Sequence, residues 1–79
     1  MITNYKLFTT PTCPACPKIK EFMQTIDIQG EHINAATPEG AEEAGKYGLK
    51  SVPAVLFFDE KAELFTIARS INEIKRALE

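Results

Sequence analysis

Residues Tyr5-Lys6-Leu7-Phe8-Thr9 combine apolar, aromatic and β-branched side chains in a short run that predicts a strand, stopped by the turn residues Thr10-Pro11-Thr12. Beyond that turn the hydrophobic period lengthens. Ile19, Phe22, Met23 and Ile26 recur at i, i+3, i+4 and i+7, the apolar face of a helix. Cys13 is expected at the N-cap of this helix and Pro14 at N1, with Pro17 still in the first turn, where a missing N–H costs least. Asp27 to Gly30 closes the unit. Glu31 to Ala35, around His32 and Ile33, predicts a second strand from a weaker pattern. Thr37-Pro38-Glu39 then supplies an N-cap, an N1 proline and an early acid for a helix running to about Tyr47, with Gly48 as its C′ glycine. Ala54-Val55-Leu56-Phe57-Phe58 is apolar throughout and predicts a buried strand. Asp59-Glu60-Lys61 is a turn, and Glu63 to Ala68 returns as the hairpin partner. Ser70-Ile71-Asn72-Glu73 is a capping box for a last helix whose apolar face holds Ile71, Ile74 and Leu78.

The order β-α-β-α-β-β-α predicts an α/β fold over a single domain, residues 1–79, with a four-stranded mixed sheet and helices on both faces. The first two strands lie parallel if their crossover is right-handed, and the hairpin adds antiparallel strands. The N-terminal end of the first helix then opens at the end of the sheet where open α/β sheets place their sites.

Composition narrows the function classes. A chain of 79 residues buries about 60–65% of its unfolded surface, near the lower limit for a self-sufficient core. A net charge of −2 gives no basic footprint for nucleic acid or for an acidic membrane surface. The first residues lack a basic segment followed by an apolar one, and no apolar stretch approaches about 20 residues, so no membrane span is expected. With one reactive cysteine pair, this fits a reducing cytoplasm.

That pair is Cys13-Pro14-Ala15-Cys16, and these are the only two cysteines. Two intervening residues let the sulfurs meet within one helical turn, so the pair can cycle between dithiol and disulfide. A position at a helix N-terminus favours thiolate, and is expected to pull Cys13 below about 8.5, toward the range of about 3.5–7.5 found for such placements. Cys16, one turn on, is expected to be less exposed and to act second. A structural disulfide competes with this reading, but so short a loop removes little entropy from the unfolded chain. Half of a zinc site also competes, but only His32 remains to complete it, with no partner at ligand spacing. No metal or tightly bound cofactor is expected. Lys18 and Lys20 read as a solvated helix face, Tyr5 and Tyr47 as packing residues, Glu39, Glu42 and Glu43 as an acidic face near a helix N-terminus, and His32 as a strand or surface residue.

Leu7 to Lys18, with its strand, turn and Cys-Pro-x-Cys-Pro helix opening, resembles the glutaredoxin-like members of the thioredoxin superfamily. Ala44 to Ala54, containing Ser51-Val52-Pro53, resembles the family segment that leads into a cis-proline, and the closing hairpin and helix extend the likeness over nearly the whole chain. From the residues alone, Pro53 reads as a trans proline opening a strand, since only about 5–6% of X–Pro bonds in folded proteins are cis. The resemblance implies instead a cis Val52–Pro53 bond beside the cysteines, with the Val52 backbone pairing an extended substrate segment.

The resemblance implies a dithiol–disulfide oxidoreductase that reduces protein disulfides, with Cys13 attacking and Cys16 resolving. Thr12, Pro14 and Ala15 would support the pair, and Val52 and Pro53 would bind substrate. Two departures bear on the electron donor. Glutaredoxins carry a basic residue where this chain has Thr10, and glycines where it has Ile67-Ala68-Arg69-Ser70-Ile71-Asn72. Thioredoxins carry Trp where Thr12 stands and a buried acid that aligns with Leu7. The departures favour a flavin-dependent thioredoxin reductase over glutathione as the donor to a monomer. Two other functions use the same residues: a module that binds a protein or an iron–sulfur cluster through the groove at Pro53, and a carrier of a soft metal ion between the two thiols.

Overall fold

A computed structural model describes residues 2–79. Its elements are β1 (Ile2–Thr9), α1 (Cys16–Gln24), β2 (Gln29–Asn34), α2 (Pro38–Lys46), β3 (Ala54–Asp59), β4 (Leu64–Ala68) and α3 (Ile71–Leu78). The sheet order is β2-β1-β3-β4. β1 pairs parallel with β2 and antiparallel with β3, and β4 pairs antiparallel with β3. The expected mixed four-stranded sheet is therefore present.

Side-chain alternation along the two central strands builds two cores. Leu7, Val55 and Phe57 meet Ile19 and Met23 of α1, Ile74 of α3 and Ala68 of β4 on one face. Phe8, Ala54, Leu56 and Phe58 meet Ala44 of α2 on the other. Helices thus cover both faces. β3 is buried from Ala54 to Phe58, which is why its sequence is a continuous apolar run without alternation. Each fully buried side chain of this size contributes about 1.5–3 kcal/mol of transfer free energy. Lys6, on the α2 face of β1, donates to Glu43 Oε1 at 2.9 Å and stands over the rings of Tyr47 and Phe58. Glu43, expected on an acidic face near the helix N-terminus, therefore also pins α2 to the sheet.

The strands begin earlier than their patterns suggest. β1 starts at Ile2, because Ile2 and Asn4 pair with Asp59 and Phe58, and the Thr3 hydroxyl donates to the Asp59 carbonyl at 3.0 Å. β2 starts at Gln29, opposite Asn4, and ends at Asn34. As an edge strand it exposes every residue but Ile33, so little hydrophobic signal marks it.

The start of α1 also differs from expectation. It opens at Cys16 with Ala15 as N-cap, and its first bond runs from the Ile19 N–H to the Ala15 carbonyl at 3.4 Å. A helix capped by Cys13 would need an N–H from residue 17 to reach the Cys13 carbonyl, and Pro17 has none. Cys13 therefore stands two residues ahead of the N-cap, and Pro14 lies outside the helix. Residues Thr10 to Cys13 form a turn closed by Cys13 N–H to the Thr10 carbonyl at 3.2 Å.

Local signals set the other helix ends. At α2 the Thr37 hydroxyl accepts from the Gly40 N–H at 3.0 Å and donates to the Asn34 carbonyl at 2.9 Å. Its other end is a Schellman motif. Gly48 takes φ +68°, its N–H reaches the Gly45 carbonyl, and the Leu49 N–H reaches that of Ala44. At α3 the Ser70 hydroxyl accepts from the Glu73 N–H at 3.2 Å, while the Glu73 carboxylate accepts from the Arg69 N–H at 2.9 Å.

Candidate active site

Cys13 and Cys16 form a disulfide with their Cα atoms 5.4 Å apart. β1 carries the chain to the end of the sheet, the turn at Thr10 reverses it, and α1 begins at the second cysteine. This geometry makes the two sulfurs unequal. Cys16 is 4% exposed, seated against the core below α1, whereas Cys13 is half-buried and reaches the surface. Thr12, Pro14 and Ala15 are exposed around the pair.

A cleft of about 330 Å³ opens beside the disulfide. Cys13, Cys16 and Lys20 line it together with Thr9, His32 and Asn34. The register explains their company. Leu7 pairs with His32 and Thr9 with Asn34. Partners across a parallel pair share a face, here the one toward α1. The Thr9 hydroxyl, which is buried, shares a hydrogen bond with His32 Nε2. Partial cover of the imidazole, and then the Lys20 cation, hold the His32 pKa below its ordinary 6.5. Lys20 is thus a cleft residue and not just part of a solvated face, and His32 has a partner.

A second cavity, of about 260 Å³, lies on the other side of Thr10, which lines both. Val52, Ser51 and Leu49 form its wall together with Ala44. The Val52–Pro53 bond is cis, as the family resemblance implied and as general X–Pro frequencies did not. Pro53 is half-buried and immediately precedes Ala54, whose partner in β1 is Phe8. The structure therefore gathers Cys13, Cys16 and Val52 around Thr10, and leaves Pro53 off both cavity walls.

Thr9 and Asn34 are cleft residues that the sequence did not single out, and Lys20 and His32 are cleft residues that it read as surface positions. Their shared face follows from the β1–β2 register, which the weak pattern of β2 conceals. Among the described residues, no group of three or more His, Cys, Asp or Glu side chains is placed to hold a metal ion. No helix among them is long and apolar enough to cross a membrane.

Comparison with known proteins places this geometry. The glutaredoxin family model matches residues 6–62, from β1 through the hairpin turn. A probable thioredoxin of Archaeoglobus fulgidus is 37% identical over 59 residues, covering 70% of this chain and 65% of the relative. A probable thioredoxin of Methanothermobacter thermautotrophicus is 38% identical over 63 residues, covering 70% and 69%. The chain thus spans about two thirds of the length of these relatives. Among solved structures, thioredoxin 1 of Thermosipho africanus aligns with a TM-score of 0.65 at 26% identity, covering 96% of this chain and 94% of that one. Oxidised thioredoxin O1 of Arabidopsis thaliana shares the fold, with a TM-score of 0.79 at 15% identity over 98% of this chain and 75% of that one. With a family match that runs from the strand before the cysteines to the turn after β3, and thioredoxin-named relatives at 37–38% identity, the chain belongs to the glutaredoxin family of small redoxins in the thioredoxin superfamily.

Proposed function

We propose that this protein is a dithiol–disulfide oxidoreductase that reduces disulfides in other proteins through Cys13 and Cys16. The observation that carries the proposal is the unequal burial of a disulfide set beside an open cleft. Cys13, the reachable sulfur, attacks a substrate disulfide as thiolate and forms a mixed disulfide. Cys16 then attacks Cys13, releases the reduced substrate and regenerates the internal disulfide. Thr12, Pro14 and Ala15 shape the exposed rim. Val52 lines the neighbouring cavity, with Pro53 next to it in the chain, and an extended substrate segment would pair with the Val52 backbone there.

The electron donor in this proposal is a flavin-dependent thioredoxin reductase rather than glutathione. Two features support that choice. Thr10, at the junction of both cavities, brings no positive charge for a glutathione carboxylate. At the start of α3 the Glu73 carboxylate already occupies the Arg69 N–H and the Ser70 hydroxyl occupies the Glu73 N–H, so an incoming carboxylate would meet a like charge. A monomer working in the reducing cytoplasm completes the proposal.

The test compares turnover of a disulfide protein substrate by NADPH with thioredoxin reductase against glutathione with glutathione reductase. Cys13→Ser should abolish reduction, and Cys16→Ser should accumulate a mixed disulfide visible by mass spectrometry. Alkylation that labels Cys16 before Cys13 in the reduced protein would reverse the two roles.

A further inference from the structure

The cleft beside the disulfide holds a hydrogen-bonded pair to which the attack and resolution steps assign no role. His32 and Thr9 are joined by a hydrogen bond, and both line the same cleft as Cys13 and Cys16. We propose that His32, acting through the Thr9 hydroxyl, accepts the proton of Cys16 and so readies it for the resolving step. The inference rests on the reducing function proposed above and assigns a positioning residue to its second half.

Burial states the need. Desolvation disfavours a charged thiolate, and Cys16 is 4% exposed while Cys13 meets solvent. Cys13 can lose its proton to water, but Cys16 needs an acceptor inside the cleft. The candidates there are few. Among the described residues, no carboxylate lines the cleft. Lys20, contributed by α1, is cationic and cannot accept a proton. On β1 the titratable residue of the same face is Tyr5, opposite Gly30, one pair beyond Leu7 and His32 and away from the cysteines. On β2 the face carries only Gly30, His32 and Asn34. His32 is the base that remains. Its lowered pKa, caused by its cover and by Lys20, keeps the imidazole neutral and receptive at pH 7.

In the step, Cys16 S–H donates to Thr9 Oγ1 while the Thr9 O–H passes its proton to His32 Nε2. The Cys16 thiolate then attacks the Cys13 sulfur. The Cys13–substrate S–S bond breaks, its electron pair leaves on the substrate sulfur, and the Cys13–Cys16 bond forms. Cys16 is oxidised, the substrate sulfur is reduced, Cys13 exchanges one S–S bond for another at the same oxidation level, and the imidazolium returns its proton to water.

The test uses the reduced protein mixed with 5,5′-dithiobis(2-nitrobenzoate) in a stopped-flow absorbance experiment. The first equivalent of nitrothiobenzoate reports attack by Cys13, and the second reports resolution by Cys16. His32→Gln and Thr9→Val keep side-chain size while removing the base and the hydroxyl. Both should leave the first release unchanged and slow the second at pH 7 by about 100-fold, the lower end for a positioned base. The deficit should shrink toward pH 9, where rising hydroxide takes over from the missing base. A second release at the wild-type rate in either variant, or a deficit that persists to pH 9, overturns the relay. A wild-type protein that releases only one equivalent overturns the reducing function itself, and the relay with it.

Discussion

At the scale of single residues, Thr10 and His32 carry the sharpest consequences. Thr10 lines both cavities, so a cation there would face ligands in each. A hydrogen bond to a charged group is worth about 1.5–3 kcal/mol, which corresponds to about tenfold or more in binding. Thr10→Lys should therefore raise turnover with glutathione by about that factor, read as a fall in KM for glutathione with kcat for the reductase-coupled reaction little changed. His32 gives a stability prediction with a definite sign. Its folded pKa is depressed below the unfolded value of about 6.5, so near pH 6 the unfolded chain binds more protons than the folded one. Stability should accordingly rise with pH through this window and fall as pH drops below about 6.5. In urea titrations between pH 5 and 7.5, His32→Gln should flatten that slope. An identical slope in the variant would assign the pH dependence to other groups.

At the scale of elements, α2 contains two glycines with opposite meanings. A Cβ at Gly40 would run into the backbone carbonyl of Asn34, because the first turn of α2 packs directly on the end of β2. A backbone atom cannot swing aside as a flexible side chain would, so Gly40→Ala should cost about 1–3 kcal/mol, the usual cost of overpacking. Gly45, in the last turn, faces open space, and a Cβ added there would meet nothing within 4 Å. Gly45→Ala should therefore stabilise by about 0.4–1 kcal/mol through the lower entropy of the unfolded chain. Denaturant midpoints of the two variants should move in opposite directions from wild type. A shared direction would mean that helix propensity, and not the contact with Asn34, governs this element.

At the scale of the whole molecule, β1 and β3 are shared by both cores, so neither face is independent of the other. Leu56 is fully buried under α2, on the face opposite the disulfide. Leu56→Ala should cost about 2–5 kcal/mol, against a total stability of about 4–12 kcal/mol for a chain of this length. The loss should appear as one cooperative transition at lower temperature, with the probes of both faces melting together. Separate transitions for the two faces would show that the sheet does not couple them.

Much of this architecture was legible in the sequence because it rests on local interactions. The N-caps of α2 and α3 and the Schellman end at Gly48 need residues three to five apart, and each lies where its own signals point. The hydrophobic period separated strands from helices, and the spacing of Cys13 and Cys16 placed the chemistry. Even the late start of α1 has a local cause, the missing N–H of Pro17, that outweighed the N1 preference of Pro14. What only the tertiary structure decided depends on partners far apart in the chain. The starts of β1 and β2 are set by Asp59 and Asn4 across the sheet, because an edge strand that buries only Ile33 carries no period of its own. Glu43 meets Lys6 across 37 residues, and His32 meets Thr9 across 23. A one-residue slip of β2 would turn His32 to the opposite face. The register between two strands, invisible in either alone, therefore puts a histidine beside the cysteines.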